Sequence, residues 1–296
     1  MKNVRTSPSI PHAEYFPRPG SSRGPGHWWG VLRGDARELT KFWPVVQNMV
    51  SQDLRIRYHR SVLGFFWSLL NPILMMATLT CVFSQVFGLL DWKDYGIYLF
   101  AGMIPWTLFA GSLGDCSNCI VHSEGLIRKI YIPKLVFPIA KVLINLTTFV
   151  LSMVALYCLV ALFGAKITPA MLMLPVVTVL FASFALGLGL VLAVANTFFR
   201  DTSHLVIVIL QAWYFATPII WGHSGPGGRG GLTPAIEARC WLNPAFPFVR
   251  MFQLIIRDGQ WPTLTLFLAA AGIASVSLGI GYVTFKIHEN KLVFRL

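Results

Sequence analysis

Long apolar stretches without a charged side chain recur along this chain. Six windows of at least 20 residues contain no Asp, Glu, Lys or Arg. A helix rises about 1.5 Å per residue, so about 20 apolar residues cross the roughly 30 Å hydrocarbon core of a bilayer. The pattern therefore predicts an all-α integral membrane protein with six transmembrane helices. The predicted spans are 63–88, 96–118, 141–163, 171–196, 204–221 and 263–285.

Two different segments precede the first predicted span. Residues 1–34 begin with prolines among Gly and Ser, a composition typical of a disordered cytoplasmic tail. From residue 35 onwards, apolar residues such as Leu39 and Val46 recur at helical spacing among polar ones, which predicts an amphipathic helix lying on the inner membrane face. Pro44 would kink this helix or start its second piece. The membrane domain is predicted to cover 35–296.

The distribution of charge sets the predicted orientation. Of 296 residues, 55% are hydrophobic and only 12% are charged, too few to cover a water-facing surface, and the net charge is +12. With the N-terminus in the cytoplasm, 18 of the 24 Lys and Arg residues lie in inner segments. This bias predicts that both termini are cytoplasmic. It also accounts for the basic charge without nucleic acid, because the charges are divided among short loops.

The inner loop at 121–140 has the features of a docking element. Ser123 is predicted to cap a short helix from Glu124 to about Tyr131, and Pro133 would end it. An exposed knob of apolar and basic residues suits the groove of a cytoplasmic partner, although a helix resting on lipid head groups is the alternative. The residues of this element are Glu124, Gly125, Leu126, Ile127, Arg128, Lys129 and Ile130.

A basic run stands directly before the first span. Arg55, Arg57 and Arg60 flank it on the predicted cytoplasmic side. One interpretation is a topology signal that also binds anionic lipid. The other is a receiving site for an anionic substrate head group, such as a lipid pyrophosphate.

The segment before the last span predicts a re-entrant or interfacial helix outside the cell. Residues 241–256 are apolar but too short to cross a bilayer. Arg250, Gln253 and Arg257 share one helical face. Such a helix would be wet on that face at a pore mouth, or would float at the outer interface.

Candidate chemistry is sparse, so no enzyme is expected. Cys116 and Cys119 have the spacing of a metal-binding pair, but small residues packing at the end of a span are the favoured interpretation. Asp115, the only acid within the predicted spans, would reach water or pair with Arg128 or Lys129. No catalytic residue, metal or cofactor is predicted.

Aromatic side chains form two groups. The first lies at an outer helix end and is typical of a membrane-interface belt. The second lies deeper, where aromatic faces would line a path for sugars or would simply pack against neighbours. The belt comprises Trp92, Tyr95 and Tyr98, and the deeper group comprises Trp213, Tyr214 and Phe215.

Four stretches, taken together, resemble one known family. They are 53–72, 125–133, 199–204 with 217–219, and 242–247. Their order and spacing are similar to those of type-2 ABC permeases that export O-antigen, capsule or teichoic acid polymers. The resemblance runs from about residue 35 to 296 and covers neither the proline-rich start nor the Gly-rich stretch 225–231.

This resemblance implies a permease subunit in the cytoplasmic (inner) membrane, paired with a second copy and with two cytoplasmic ATPase subunits that hydrolyse ATP. It makes 35–58 an interface helix and 124–131 the coupling helix that meets the ATPase. A lipid-linked polysaccharide would enter near the first span and pass along a channel formed with the second copy. The re-entrant helices around 232–257 would form the outer gate, with Asn243, Pro244, Arg250, Gln253 and Arg257.

Two alternatives share part of the pattern. A related permease for a small lipid or drug would have the same architecture and differ in the ligand that stimulates the ATPase. A membrane enzyme acting on lipid-linked sugars would need acids or histidines clustered at one depth, and the chain has only scattered ones.

Overall fold

The computed structural model describes residues 25–58, 66–86, 92–162, 168–222 and 233–295, and the regular elements in these ranges are helices. The predicted all-helical class is thereby confirmed. The α-helices are α1 (Pro25–Lys41), α2 (Trp43–Tyr58), α3 (Phe66–Val86), α4 (Trp92–His122), α5 (Glu124–Ile127), α6 (Val136–Leu162), α7 (Leu174–Phe198), α8 (Thr202–Ala216), α9 (Pro234–Cys240), α10 (Phe246–Gln253) and α11 (Leu264–Arg295), with a 3-10 helix at Pro169–Met173 and a π-helix at Leu254–Asp258.

Four helical stretches in the described ranges are long and apolar enough to cross a membrane. They coincide with the second, third, fourth and sixth predicted spans. Two further apolar helical stretches, Ile73–Phe83 in α3 and the whole of α8, are shorter. The four long stretches are Lys93–His122, Val136–Val154, Pro169–Phe198 and Leu264–Leu292.

The fifth predicted span, 204–221, is wrong at its end, because α8 stops at Ala216. Thr217 has extended backbone angles (φ −99°, ψ 136°). The ring of Pro218 disfavours helical geometry at the residue before it, which explains the stop. The 15 residues of α8 therefore rise about 22 Å, and the chain continues from there as a turn.

The start of the chain also differs from the prediction. Residues 25–34 belong to α1, so the predicted disorder of 1–34 is wrong for them, whereas 1–24 lie outside the described residues. Proline is favoured in a first helical turn, and Pro25 begins α1. Apolar residues then alternate with charged ones along α1 at helical spacing, which favours an amphipathic helix.

The chain divides into two compact units, with the boundary after Lys41. The first unit contributes α1. The second begins at Phe42 and contains all the other helices. Its first helix, α2, starts at Trp43 and has Pro44 in its first turn, in line with the predicted role of this proline.

Helix α4 is the centre of the second unit. It packs against α3, α6, α7, α8 and α10. An aromatic stack joins it to α7 and α10: the ring centroids of Phe109 and Phe184 are 5.2 Å apart, as are those of Phe184 and Phe248. Offset-stacked rings at such distances contribute about 0.5–1.5 kcal/mol per pair beyond their area burial.

Helices α7 and α11 approach each other more closely than side chains would allow. A Cβ on Gly281 would overlap the carbonyl of Gly187, and a Cβ on Gly187 would overlap the backbone of Ser277. The Ser277 hydroxyl adds a hydrogen bond of 3.1 Å to the Phe184 carbonyl. Small residues let helices approach at such crossings within membranes, so these glycines are the physical cause of the tight pair.

Candidate functional site

The α4–α6 loop (residues 123–135) leaves one end of α4 and has less helix than predicted. The predicted helix from Glu124 to Tyr131 is wrong, because α5 ends at Ile127 and turns follow it. The Ser123 side chain makes no capping hydrogen bond; instead its carbonyl accepts from Leu126 and Ile127. Gly125 is a poor helix former, and the four residues are too few for cooperative helix propagation.

The α4–α6 loop presents apolar and basic side chains to its surroundings. Leu126 is 37% exposed, Ile130 54% and Tyr131 64%. Lys129 is exposed beside them, and Arg128 forms a surface ion pair of 2.8 Å with Glu124. The predicted apolar-basic knob is therefore present on the surface of this chain.

The acid inside α4 is held by a different partner from the one predicted. Asp115 Oδ2 accepts a 2.8 Å hydrogen bond from Asn145 Nδ2, whereas Arg128 pairs with Glu124. Asp115 therefore has a hydrogen-bond partner on α6, and Arg128 has Glu124 as its partner, where the sequence alone suggested water or a pairing of Asp115 with Arg128 or Lys129. Asn145 also donates to the Lys141 carbonyl of its own helix at 3.0 Å, and its bond to Asp115 ties α4 to α6.

Cys116 and Cys119 pack as small side chains, in line with the favoured interpretation. Both are buried, at 0% and 1% exposure. Cys116 lies against Gly189 of α7, and its thiol donates to the Pro138 carbonyl at 3.5 Å. In the parts of the chain that the structure describes, no group of three or more His, Cys, Asp or Glu side chains is placed to hold a metal ion.

The basic run before the first span is only partly described. Arg55 is exposed on α2, the side chain of Arg57 lies outside the described set, and Arg60 lies outside the described residues altogether. The ion pair between Asp53 and Lys141, 3.1 Å long, ties α2 to α6. Arg55 lies two residues after Asp53 and therefore on roughly the opposite face of α2.

Two of the three deep aromatic residues face inward. The Trp213 ring packs edge-on against Phe109 at 5.3 Å, and its Nε1 donates to Asn243 at 2.7 Å. Tyr214 packs against Trp106 at 5.7 Å. Phe215 is 64% exposed. In this chain Trp213 and Tyr214 are partly exposed and packed against neighbours, whereas Phe215 is exposed, so a path-lining role of the three residues stays a prediction.

The other end of α4 carries the hairpin cluster, which we define as Asp94, Tyr98, Pro218, Asn243, Gln253 and Arg257. Gln253 is 1% exposed and its Nε2 donates to the Pro218 carbonyl at 2.9 Å. Asn243 Nδ2 donates to the Thr217 hydroxyl at 2.9 Å. These bonds hold the turn after α8 between α4 and the segment 234–253, which comprises α9, a short turn and α10 and which we call the hairpin.

The polar face of α10 therefore points into the protein. The sequence predicted a helix wet along Arg250, Gln253 and Arg257, but Gln253 is buried and Arg250 is only partly exposed. Arg257 forms a bidentate ion pair with Asp94, at 2.9 Å from Nε and 2.7 Å from the terminal nitrogen. The correction has a simple cause, since α4 and the turn after α8 supply partners that the sequence of α10 does not show. Pro244 is exposed at the hairpin turn.

Tyr95 and Tyr98 belong to this assembly, so their assignment to an interface belt is wrong. Both are 0% exposed. The Tyr95 hydroxyl donates to the Ile220 carbonyl at 2.8 Å, and the Tyr98 hydroxyl lies 2.9 Å from the carbonyls of Pro218 and Trp221. The guanidinium carbon of Arg257 also lies over the Tyr98 ring, 5.7 Å from the ring centroid. A buried tyrosine needs a partner for its hydroxyl, and the turn provides one.

Replacing Asp94 by Asn is expected to destabilise the hairpin cluster. The change leaves the Arg257 guanidinium half-buried with its strongest partner neutralised, which costs about 1–3 kcal/mol. Thermal unfolding in detergent measures the loss. Glu124→Gln breaks a more exposed pair and should change the free energy of unfolding by less than about 0.5 kcal/mol. Equal losses in the free energy of unfolding for the two substitutions would contradict a stabilising role of the Asp94–Arg257 ion pair.

Several known membrane transport proteins are similar to this chain in sequence. Residues 44–256 match the family described as ABC-2 type transporter. The chain is 30% identical over 255 residues to the O-antigen export system permease protein RfbA of Myxococcus xanthus, covering 86% of this chain and 96% of that one. A Klebsiella pneumoniae protein of the same name is 25% identical over 174 residues, 58% of this chain and 67% of its own length. The polysialic acid transport protein KpsM of Escherichia coli is 23% identical over 185 residues, covering 61% of this chain and 71% of that one.

Proposed function

Because the chain belongs to the ABC-2 type transporter family, we propose that it is the membrane-spanning permease subunit of an ATP-driven exporter of lipid-linked polysaccharide. The observation that carries this proposal is the match over nearly the whole length of the Myxococcus xanthus protein, whose name states O-antigen export. The Klebsiella pneumoniae relative has the same name, and a further relative is named for polysialic acid, which is also a polysaccharide.

The energy for export would come from a separate ATPase. The exposed apolar and basic side chains of the α4–α6 loop support this part of the proposal, since such a surface suits the groove of a protein partner. Two ATPase copies and two copies of this chain would form the complex. This chain would act as a transport subunit and not as an enzyme.

Six crossings of the cytoplasmic (inner) membrane are proposed, with both termini cytoplasmic. The four long apolar stretches supply four of them. Helix α3 would be the first and α8 the fifth, where the buried turn from Thr217 to Ile220 adds depth to the short helix. The hairpin of α9 and α10 would enter the outer leaflet and return. The bias of Lys and Arg towards the inner segments supports this orientation.

A channel formed with the second copy would carry the polymer. Sugar hydroxyls are costly to strip of water, so the path must be polar. Helix α8 exposes the amide of Gln211 among apolar residues, one turn before Phe215, and α3 exposes Thr78. Exposed amides are rare against lipid, which supports a position for this face of α8 on the path or against the second copy.

Arg55, Arg57 and Arg60 are proposed to receive the anionic head group of the lipid carrier. Each basic residue near an anionic surface contributes about 1 kcal/mol. Replacing the three by Ala removes about 3 kcal/mol and should therefore raise the concentration of lipid-linked polysaccharide that gives half-maximal ATPase stimulation by about a hundredfold. The matched control is a variant in which three basic residues of α1 are changed to Ala, namely Arg33, Arg37 and Lys41. It removes the same amount of positive charge. Unchanged stimulation together with inverted insertion would favour the topology-signal interpretation instead.

Reconstitution tests the function as a whole. Proteoliposomes that contain this chain and its co-purifying ATPase should move lipid-linked polysaccharide only when ATP is present on the ATPase side. The same polysaccharide should stimulate hydrolysis. Stimulation by a small lipid or drug alone, without polymer movement, would contradict polysaccharide export and favour the related permease class.

A further inference from the structure

Asn196, near the end of α7, joins three helices at one point. Its side chain is 2% exposed. Its Nδ2 donates to Asn118 Oδ1 on α4 at 3.2 Å, and its Oδ1 accepts from the backbone N–H of Ser203 on α8 at 3.0 Å. Asn118 stands shortly before the α4–α6 loop. Because a buried amide that loses its partners is costly, this contact ties the entrance of the loop to α7.

The end of α7 that carries Asn196 also lies against the last turns of α11. The His288 and Phe198 rings are 5.7 Å apart, and the Arg295 guanidinium carbon lies 5.9 Å from the centroid of the Phe198 ring. The entrance of the α4–α6 loop is thus connected to the pair formed by α7 and α11.

The α7–α11 pair is joined by direct backbone contact. With Gly187 and Gly281 at the crossing, the backbone of one helix lies directly on the backbone of the other. Closely packed interiors have low compressibility and transmit displacement. A push at the loop end of the pair would therefore shift its far end as well.

The far end of the pair touches the hairpin. Helix α10 packs against both α7 and α11. The Phe248 ring stacks on Phe184 at 5.2 Å and on Phe181 at 5.0 Å. Gln253, at the end of α10, continues to the Pro218 carbonyl. A continuous series of packed and hydrogen-bonded groups connects the α4–α6 loop with the hairpin cluster at the opposite end of α4.

We propose that Asn196 is the positioning residue through which movement of the α4–α6 loop reaches the α7–α11 pair, and that this pair carries the movement to the hairpin cluster. The inference rests on the proposed function, in which an ATPase moves the loop and the hairpin gates the path. It adds the route between them, which lies along α7 and α11.

Asn196→Ala tests the route in the complete complex with the ATPase. Export per ATP hydrolysed should fall by about fivefold to tenfold, because residues along coupling routes change coupling on this scale. Binding of the ATPase and its basal hydrolysis should stay within about twofold of wild type. Spin labels at Glu237→Cys on α9 and Thr78→Cys on α3, with the native cysteines replaced, should lose the ATP-dependent distance change seen without the Asn196 substitution.

Ser183→Ala is the matched control on the same helix, because the Ser183 hydroxyl bonds only locally, to the Val179 carbonyl at 2.7 Å. It should leave both readouts unchanged. If Asn196→Ala does not fold, the same two readouts are measured in Asn118→Ala. That variant removes the same hydrogen bond and keeps the Asn196–Ser203 contact. A normal distance change and normal export in the folded variant would overturn the route and leave the proposed function intact. Failure of the unsubstituted complex to export polysaccharide would instead overturn the proposed function.

Discussion

Replacing Gly281 by Leu is expected to abolish the packing of α7 on α11 and to leave little folded protein after extraction into detergent. A Cβ at this position overlaps the carbonyl of Gly187, which is backbone and has no alternative rotamer. Overpacking within a core costs about 1–3 kcal/mol when side chains can shift, and more where they cannot. We therefore expect a loss of at least about 3 kcal/mol, measured by thermal unfolding and by the monodisperse yield.

Gly279→Leu is the control for this experiment. Gly279 lies two residues earlier on α11, and a Cβ there has nothing within 4 Å. Because leucine is a better helix former than glycine, this variant should unfold at the same temperature as the wild type or slightly higher. Equal destabilisation by the two substitutions would show that helix propensity, or contact with lipid, matters more than the crossing at Gly187.

The second large effect is expected at the α4–α6 loop, where Leu126 and Ile130 are exposed apolar side chains beside Tyr131. Changing both to Asp would place two charges in the proposed groove of the ATPase. Burying an unpaired charge at an interface is strongly unfavourable, and a few apolar anchors usually carry most of the binding energy. ATP-driven export should fall by more than about tenfold, and the ATPase should no longer co-purify.

Leu242→Asp supplies the matched substitution at the other end of the molecule. Leu242 is 86% exposed, and it lies in the turn between α9 and α10. This variant should still bind the ATPase. Normal ATPase binding and normal export in the Leu126→Asp, Ile130→Asp variant would show that the loop does not couple the ATPase to export. Its apolar side chains would then be better explained by contact with lipid head groups.

Most of the helices were predictable because the bilayer restricts the choice of structure. A segment without charges must satisfy its backbone groups internally, which leaves the helix as the one simple solution. This restriction says little about where a helix ends. Helix α8 ends at Ala216 because of Pro218. The apolar residues on both sides of Pro218 made the end of the helix hard to predict from hydrophobicity.

The polar contacts were harder to predict, because each partner lies far away in the sequence. Asp94 and Arg257 are 163 residues apart, and Asn118 and Asn196 are 78 apart. Tyr95 and Tyr98 have the composition of an interface belt. Their hydroxyls instead donate to buried carbonyls of the turn after α8, which the sequence alone does not show. An asparagine within an apolar helix was a usable signal for Asn196, since polar side chains in membrane helices tend to bond across helices.

The whole account depends on the α4–α6 loop and the hairpin lying on opposite sides of the membrane, with the loop in the compartment of the ATPase. Single cysteines at Lys129 and Glu237, in a chain whose five native cysteines are replaced by Ser, report this directly in sealed right-side-out vesicles. A membrane-impermeant maleimide should label Glu237→Cys in sealed vesicles and Lys129→Cys only after the vesicles are opened. Labelling of Lys129→Cys in sealed vesicles would contradict the account, because no cytoplasmic ATPase would then reach the loop.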